Sequence, residues 1–359
     1  MINITLKDGS VKQYSDEISV ISVAKDISEG LARNVISANF NNKILETSSL
    51  IHEDGKLEFY TWDNDEGKKA FWHSSSHVMA QAIQELFPGV KLTIGPAINN
   101  GFYYDVDLDN QKISESDFEK IETRMLEICR EKHDFKLRPV SKKEAIQFYT
   151  EESNDYKLEL INDLNDGEIT FCDHSNFTDL CKGGHIPNTS LIKAIKILNI
   201  SGAFWRADQS KKQLTRIYGI SFPKQKLLKE YLENIEQAKL RDHRKIGKSL
   251  KLFSFSNKVG LGLPLWLPKG VELRDRLEGF LKKAQKKAGY QMVITPHIGN
   301  KELYVTSGHY EKYGEDSFQP IKTPKENEEF YLKPMNCPHH CEIYNSTKFS
   351  YKDLPVRYA

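Results

Sequence analysis

The sequence predicts a multidomain α+β protein. Three observations predict it. A chain of 359 residues is long enough for two or three cores. Strand, helix and further strands crowd into roughly the first 60 residues, as in a small α+β roll. A Pro- and Gly-free run at 224–244 then separates what precedes it from a Gly-containing third unit.

Residues 2–6 alternate apolar and polar, Asp8-Gly9 is a hairpin turn signal, and 11–14 resumes the alternation. Residues 21–34 read as one helix, and short strands follow near 38–40 and 57–61. This first unit, 1–62, holds no cluster of His, Cys and carboxylates, so it reads as an accessory module without chemistry. A second unit spans 63–223. Within it, 73–87 is a helix stopped by Pro88-Gly89, and 92–107 is turn-rich and strand-like. Residues 116–132 form a charged helix in which Ser116 and Glu119 fit a capping box. Residues 173–185 read as irregular. Residues 224–244 form one long linker helix. From Lys239 to Lys251 six basic residues face one acid, Asp242. Such a run is either a solvated helix face or a phosphate-contacting surface. In the third unit, 245–359, residues 274–289 form an amphipathic helix and 290–296 a strand. The tail Pro355-Val-Arg-Tyr-Ala359 reads as the middle of a strand.

The formal net charge is +1, so nucleic-acid binding would need a local basic surface. Cys129, Cys172, Cys181, Cys337 and Cys341 are too few, and odd in number, for a disulfide framework. Neither a signal-peptide pattern nor a run of some 18 apolar residues is found, and the expectation is a cytoplasmic protein.

Two matched spacings carry the chemistry. His73-Ser-Ser-Ser-His77 puts two imidazoles on one helix face, and Cys181-Lys-Gly-Gly-His185 adds a thiol and a third imidazole. Three His and one Cys can make a tetrahedral zinc site or a hydrolytic pocket. Gly183-Gly184 lets backbone approach a ligand closely. Asp179 is placed to orient a His or a water.

Several segments resemble one family. HSSSHVMAQAIQELFP, IGPAINNGFYYD, TDLCKGGHIPNT and GAFWRAD resemble the editing domain of bacterial threonyl-tRNA synthetases. KDGSVKQY resembles the start of that family's ubiquitin-like, β-grasp TGS domain. DHRKIGKSLKLFSF, PLWLPKG, SGHYEKYGEDSF and KPMNCPHH resemble the first part of its class II antiparallel-sheet catalytic domain. Residues 290–296 match class II motif 1, which in the family lies at the dimer interface.

The resemblance implies ATP-dependent threonine activation, transfer to tRNA(Thr), and hydrolysis of mischarged seryl-tRNA(Thr). Serine keeps the hydroxyl of threonine and lacks one methyl, worth only about 1–3 kcal/mol, so a second, hydrolytic sieve is needed. It implies His73, His77, Lys157, Asp179, Cys181 and His185 as catalytic residues, with Tyr104 lining the same pocket. The expected reaction is water attack on an ester, with a His or Lys positioning the water. Cys181 as an acylated nucleophile is the minor alternative. Alanyl-type editing domains hold zinc with the same ligand pattern, whereas the threonyl type works without it; the expectation is a metal-free editing pocket. Cys337 is implied as one ligand of the threonine-selecting zinc, with its two histidine partners falling beyond this stretch, and Met335 as substrate-binding. Cys341 is expected to be a small buried hydrophobe. Mg-ATP would serve the full-length enzyme. Class II motifs 2 and 3 and the anticodon-binding domain are not matched, so this stretch is expected to edit but not aminoacylate. The competing readings are a free-standing zinc-dependent aminoacyl-tRNA deacylase and a non-catalytic tRNA-binding protein. The third unit is expected to expose an unpaired sheet edge and an apolar face.

Overall fold

A computed structural model describes residues 1–325 and 328–359. The chain divides into two compact units, Met1–Gln237 and Ala238–Ala359. Both mix helices and sheets, in keeping with the predicted α+β class.

The first unit opens with a five-stranded sheet. Strands β1 (Ile2–Leu6), β2 (Val11–Tyr14), β4 (Ser37–Phe40), β5 (Lys43–Glu46) and β7 (Gly55–Tyr60) run in the order β2-β1-β7-β4-β5. A short pair, β3 (Ile18–Ser19) and β6 (Leu50–Ile51), lies off it. The outer strands β1 and β7 of the chain segment run parallel at the centre, the arrangement of a β-grasp sheet. The expected helix at 21–34 is two helices, α1 (Val20–Ile27) and α2 (Glu29–Asn34). Ser28 is extended, and its hydroxyl accepts from the Leu31 amide at 3.0 Å. A serine that can cap a new helix competes with continuing the old one.

The rest of the unit is built on α3 (Asp65–Leu86). This helix is buried on nearly all sides, which its sequence allows by placing Ser74, Ser75 and Ser76 where larger residues would keep neighbours away. Each buried hydroxyl is satisfied: Ser74 and Ser75 donate to carbonyls one turn back, at 2.8 and 2.9 Å, and Ser76 donates to the His73 carbonyl at 2.7 Å. Strands β8 (Lys91–Leu92), β9 (Ala97–Ile98), β10 (Gly101–Asp107), β14 (Ala194–Phe204) and β15 (Gln213–Phe222) make the sheet beneath it. Trp72 Nε1 donates to the Ser221 carbonyl at 3.0 Å and fixes the helix on β15.

Helix α4 (Phe118–Arg130) is preceded by a 3₁₀ turn, so the capping box is Ser114 with Asp117 rather than Ser116 with Glu119. A three-stranded sheet, β11 (Lys136–Pro139), β12 (Thr170–His174) and β13 (Phe177–Leu180), packs with α5 (Lys142–Glu151) and α6 (Asp155–Asn162). The segment 173–185 is therefore not irregular throughout; its first half completes a hairpin, registered Cys172 to Asp179.

The run at 224–244 is likewise two helices, α7 (Gln225–Leu240) and α8 (His243–Ser249). Asp242 accepts from the Arg244 amide at 2.8 Å and restarts the helix.

The second unit adds β16 (Phe253–Ser254), β17 (Leu265–Trp266), α9 (Pro268–Lys287), β18 (Ile298–Asn300), α10 (Lys301–Thr306), α11 (His309–Tyr313), β19 (Ile321–Lys322), β20 (Glu329–Leu332) and α12 (Cys337–Asn345). Residues 290–296 form no strand within a sheet. They pair only with the tail, where the Gln291 amide donates to Arg357 O at 2.8 Å and Val293 to Ala359 O at 2.9 Å. A parallel pairing this short builds an isolated bridge instead of a ladder.

Gly67, in the first turn of α3, gives a test of this packing. A Cβ there would lie 1.9 Å from the Thr61 carbonyl oxygen, a backbone atom that cannot swing away. Gly→Ala in an open helix interior normally stabilises by about 1 kcal/mol. Gly67→Ala should instead cost about 2 kcal/mol or more through overpacking. Urea unfolding should show it, with Gly279→Ala, where nothing lies within 4 Å, as the contrasting substitution.

Candidate active site

Helix α3 places His73 and His77 one turn apart on one face, with Nε2 atoms 3.2 Å from each other. Hairpin β12–β13 delivers the second spacing. Cys181 follows β13 directly, its carbonyl held by the Thr170 hydroxyl. Cys181 and His185 share no helix face. They are brought together by a turn through Gly183 (φ +94°) and Gly184 (φ +87°), a left-handed conformation that side chains rarely adopt. The Gly183 amide then points at Cys181 Sγ, 3.4 Å away. The Ile186 amide donates to the buried Ser74 hydroxyl at 2.9 Å, tying this turn to α3.

Four ligand-type atoms converge as a result. Cys181 Sγ lies 3.4 Å from His73 Nε2 and 3.2 Å from His185 Nε2, and all four groups fall within 4.8 Å of one another. His77, Cys181 and His185 are buried; His73 is half-buried and opens to solvent. A tetrahedral zinc with metal–N near about 2.0 Å and metal–S near about 2.3 Å separates its ligands by roughly 3.3–3.7 Å. The tetrad fits such an ion. Behind it stand two carboxylates: Asp179 Oδ2 is 3.2 Å from His77 Nδ1, and Glu46 Oε1 is 2.6 Å from His185 Nδ1. Carboxylates behind histidine ligands are the usual way to set ring orientation. Among the described residues this tetrad is the only group of three or more His, Cys or acidic side chains so arranged.

Asp179 is the hub of the adjoining network. It accepts hydrogen bonds from Lys157 Nζ and, at 2.6 Å, from the Tyr104 hydroxyl, and Tyr149 OH lies 3.4 Å away. Every one of these groups is buried. Burial opposes the carboxylate, yet the Lys157 ammonium and His77 outweigh it and hold the acid well below its ordinary value. Burial also opposes a charged His77 and His185. For His77, the Cys181 thiolate and Asp179 overturn that and raise it; for His185, hydrogen bonds to Cys172, Cys181 and Glu46 raise it well above the ordinary range. The same pairing with His77, His185 and His73 overcomes burial at Cys181 and lowers its thiol well below the usual value. Burial pushes Cys172 and Cys129 up to about 12; at Cys172 it outweighs the hydrogen bond to His185, and at Cys129 the charge of Lys193. Tyr104 is raised well above 10, by burial first and then by Asp179, so it stays a donor.

Two clefts meet at His73. One, of about 480 Å³, is walled by Thr93 to Pro96, Leu160, Leu164, Leu180 and Lys182, with His77, Lys157, Asp179 and Cys181 at its floor. The other, of about 490 Å³, runs between Ile44, Glu66, Lys69, Ala97 and the Gly183-Gly184 turn. The tetrad is thus reached from two compartments that share His73.

The structure gathers His73, His77, Tyr104, Lys157, Asp179, Cys181 and His185 in one place. Met335 and Cys337 lie in the second unit, both exposed, with Tyr313 OH donating to Met335 Sδ at 3.0 Å. Cys341 is exposed as well, contrary to the expected burial: α12 is covered only in its first turn, at Pro338, and Cys341 lies one turn further on. Sequence reasoning missed Glu46 and Tyr149. Glu46 ends a strand that was not foreseen, in a unit read as free of chemistry, and no local signal links it to His185. Tyr149 was hidden in an ordinary amphipathic helix.

This constellation is a buried His/Cys cluster beside a β-grasp sheet. Residues 2–61 match the TGS domain, and 169–218 match the threonyl and alanyl tRNA synthetase second additional domain. Across all 359 residues the chain is 68% identical to a threonine–tRNA ligase from Flavobacterium johnsoniae, 57% to one from Cytophaga hutchinsonii, and over 360 aligned positions 56% to one from Porphyromonas gingivalis. It spans 55–56% of the length of these relatives. A solved structure, the RNA binding domain of threonyl-tRNA synthetase from Cryptosporidium parvum Iowa II, is 39% identical, with a TM-score of 0.31, over 33% of this chain and 29% of that one. Over its whole length the chain is thus similar to curated threonine–tRNA ligases. No helix among the described residues is long and apolar enough to cross a membrane.

The buried Lys157–Asp179 pair gives a stability prediction. Asp179→Asn leaves an ammonium buried without its counter-charge and should cost about 3–5 kcal/mol. Because the folded-state acid titrates below the unfolded one, near about 3.9, the unfolded state binds more protons in this range. The pair's contribution is thus full above that value and lost as pH falls further. The stability difference between wild type and Asp179→Asn in urea should narrow below about pH 4.

Proposed function

We propose that this chain is part of a threonine–tRNA ligase and that the pocket around His73, His77, Cys181 and His185 hydrolyses seryl-tRNA. The observation that supports this most is the joining of the tetrad to the Asp179–Lys157–Tyr104 network at the floor of a cleft lined on one side by apolar side chains. Such a floor can hold a small amino acid by its charged and hydroxyl groups while keeping bulk water out.

In the proposed reaction a water attacks the ester carbonyl carbon. The C–O bond to the ribose then breaks, and the ribose oxygen takes a proton. His73 is the half-buried histidine shared by both clefts, and it is positioned to take the water's proton through a ring nitrogen. Lys157 orients the substrate from the cleft floor, Tyr104 holds Asp179 from within the core, and His77 is held between Asp179 and the tetrad. Cys181 balances the charge of the imidazoles instead of being acylated. The Gly183 and Gly184 turn leaves backbone open toward the second cleft for the ribose side of the ester.

We read this pocket as metal-free, as the resemblance implies. The zinc alternative is favoured by one specific observation, the carboxylates behind His77 and His185. There the four side chains would hold the ion, and it would supply polarisation of a bound oxygen. We also propose Cys337 as one ligand of a threonine-selecting zinc, Met335 as a substrate contact, ATP with magnesium, threonine and tRNA(Thr) as the whole protein's ligands, a dimer through 290–296, and cytoplasmic residence. The division at 62, 223 and 244 into β-grasp, editing, linker and catalytic parts belongs to the same proposal.

Deacylation of seryl-tRNA by the purified chain tests the reading. His77→Ala should lower the rate by about 100-fold or more, in line with loss of an acid–base and positioning group. An unchanged rate removes the role assigned to the pair. Metal analysis of the same preparation should find no stoichiometric zinc at the tetrad. About one zinc per chain, with hydrolysis lost on chelation, assigns the tetrad to the ion instead.

A further inference from the structure

Glu46 is a buried carboxylate in a domain that contributes nothing else charged to the site. It closes β5, opposite Ser37 in the antiparallel register with β4. Its backbone carbonyl accepts from the Ser49 amide at 3.0 Å, which turns the chain away and leaves the side chain facing out of the sheet. Its relative exposure is 9%, and its Oε1 lies 2.6 Å from His185 Nδ1, across 139 residues of sequence. A buried carboxylate is costly unless it is paired and hydrogen-bonded. Its retention at the end of an edge strand is explained by what it meets there.

What it meets is the far nitrogen of a ring whose near nitrogen faces Cys181 at 3.2 Å. A carboxylate accepts and cannot donate, so it demands a proton on Nδ1. That fixes the ring's tilt and the identity of the nitrogen directed at the tetrad. Phe135 stacks on the same ring, with planes 6° apart and centroids at 5.4 Å, and supports it from the side without fixing the tautomer. Gly183, at φ +94°, passes beside this pair: a Cβ there would lie 2.8 Å from the Leu137 side chain and in ordinary contact, 3.9 Å, with Glu46 Oε1. The two domains also share a core at this point, because Ile36 of the β-grasp part is buried in the same cluster as Phe71, Cys181 and Ile186.

We propose that Glu46 is a positioning residue for the hydrolytic pocket, setting the Nδ1-protonated, correctly tilted state of His185 from within the β-grasp domain. The β-grasp domain is then a structural part of the pocket instead of an appendage to it. This rests on the hydrolytic reading above, and the test separates the two.

The experiment compares wild type, Glu46→Gln and Glu46→Ala as the full 359-residue chain. Two readouts are taken: seryl-tRNA deacylation and ¹⁵N-histidine NMR of His185. In wild type, Nδ1 should be protonated, with a downfield, slowly exchanging proton that marks a bond to a carboxylate. In Glu46→Gln that proton should move upfield and exchange faster, because an amide can offer either face. Deacylation should fall about 10–100-fold in both variants, the range for loss of a carboxylate that orients a functional histidine. The loss should appear in kcat more than in KM, since Glu46 does not line the compartment that holds the acyl group. Equal unfolding midpoints for Glu46→Gln and wild type exclude a general loss of fold. An unaltered His185 spectrum in Glu46→Gln overturns the proposal, as does a rate within about threefold of wild type in both variants. If wild type itself does not deacylate seryl-tRNA, the hydrolytic reading fails, and the His185 spectrum alone decides whether Glu46 positions the ring.

Discussion

The buried carboxylate of Asp179 is the constraint on which the rest of the first unit depends. It stands on β13, and its partners come from three other elements: Tyr104 from β10, Lys157 from α6 and His77 from α3. A charge that far from water must be surrounded by donors, and the donors must arrive from wherever the fold can supply them. Its pairing therefore determines how the three-stranded sheet lies against the larger one. The hairpin register Cys172 to Asp179 follows, since a slip of one residue would turn the carboxylate to the other face and Leu180 toward Lys157.

From that anchor the tetrad is assembled in a fixed order of rigidity. His77 is held by the anchor itself. His73 follows one turn away on the same helix. Cys181 begins where β13 ends. His185 comes last, on a loop, and needs three separate supports: the Gly183-Gly184 turn, the Ser74 bond to the next residue's amide, and Glu46. The member with the least help from secondary structure has the most help from side chains. It is also the member whose Nδ1 side is met both by its own sheet, through Cys172 Sγ at 3.6 Å, and by a carboxylate from another domain, Glu46 Oε1 at 2.6 Å.

Much of this was legible in the sequence where the spacing was local. The His73/His77 pair follows from helical periodicity, and the strands at 2–6 and 11–14 from alternation around Asp8-Gly9. The segments that resemble threonyl-tRNA synthetases led to Lys157 and Tyr104, which no spacing could have supplied. What stayed hidden has two physical causes, competition at short range and pairing at long range. Ser28 and Asp242 each stop one helix by capping the next, and a propensity count over either segment sees only good helix formers. The strand ending in Glu46 pairs with a segment immediately before it but reaches a histidine far away, so the chemical content of the first domain could not be read from the first domain. The cysteine expected to be buried in α12 shows the reverse error: Pro338 and Cys341 share a face of the helix, yet only Pro338, in the first turn, is covered, so burial depends on where along the helix the packing ends.

The second unit differs from the first in kind. Its fully buried large side chains among the described residues are Tyr304 and Tyr331, whereas Leu277, Phe280 and Leu281 of α9 are each more than half exposed. Those three fall at i, i+3 and i+4, the stripe by which a helix normally joins a core. The three-stranded sheet β18-β20-β19 is small, and this helix stripe stays in water. The expected exposure of an apolar face is thus present, and it bears on where chemistry can occur. A site that selects an amino acid by one hydroxyl or one methyl needs walls that do not move and polar groups that water cannot reach. Around Asp179, Tyr104, Lys157 and His77 are buried together and meet that requirement, whereas Met335 and Cys337 are exposed within this stretch of chain.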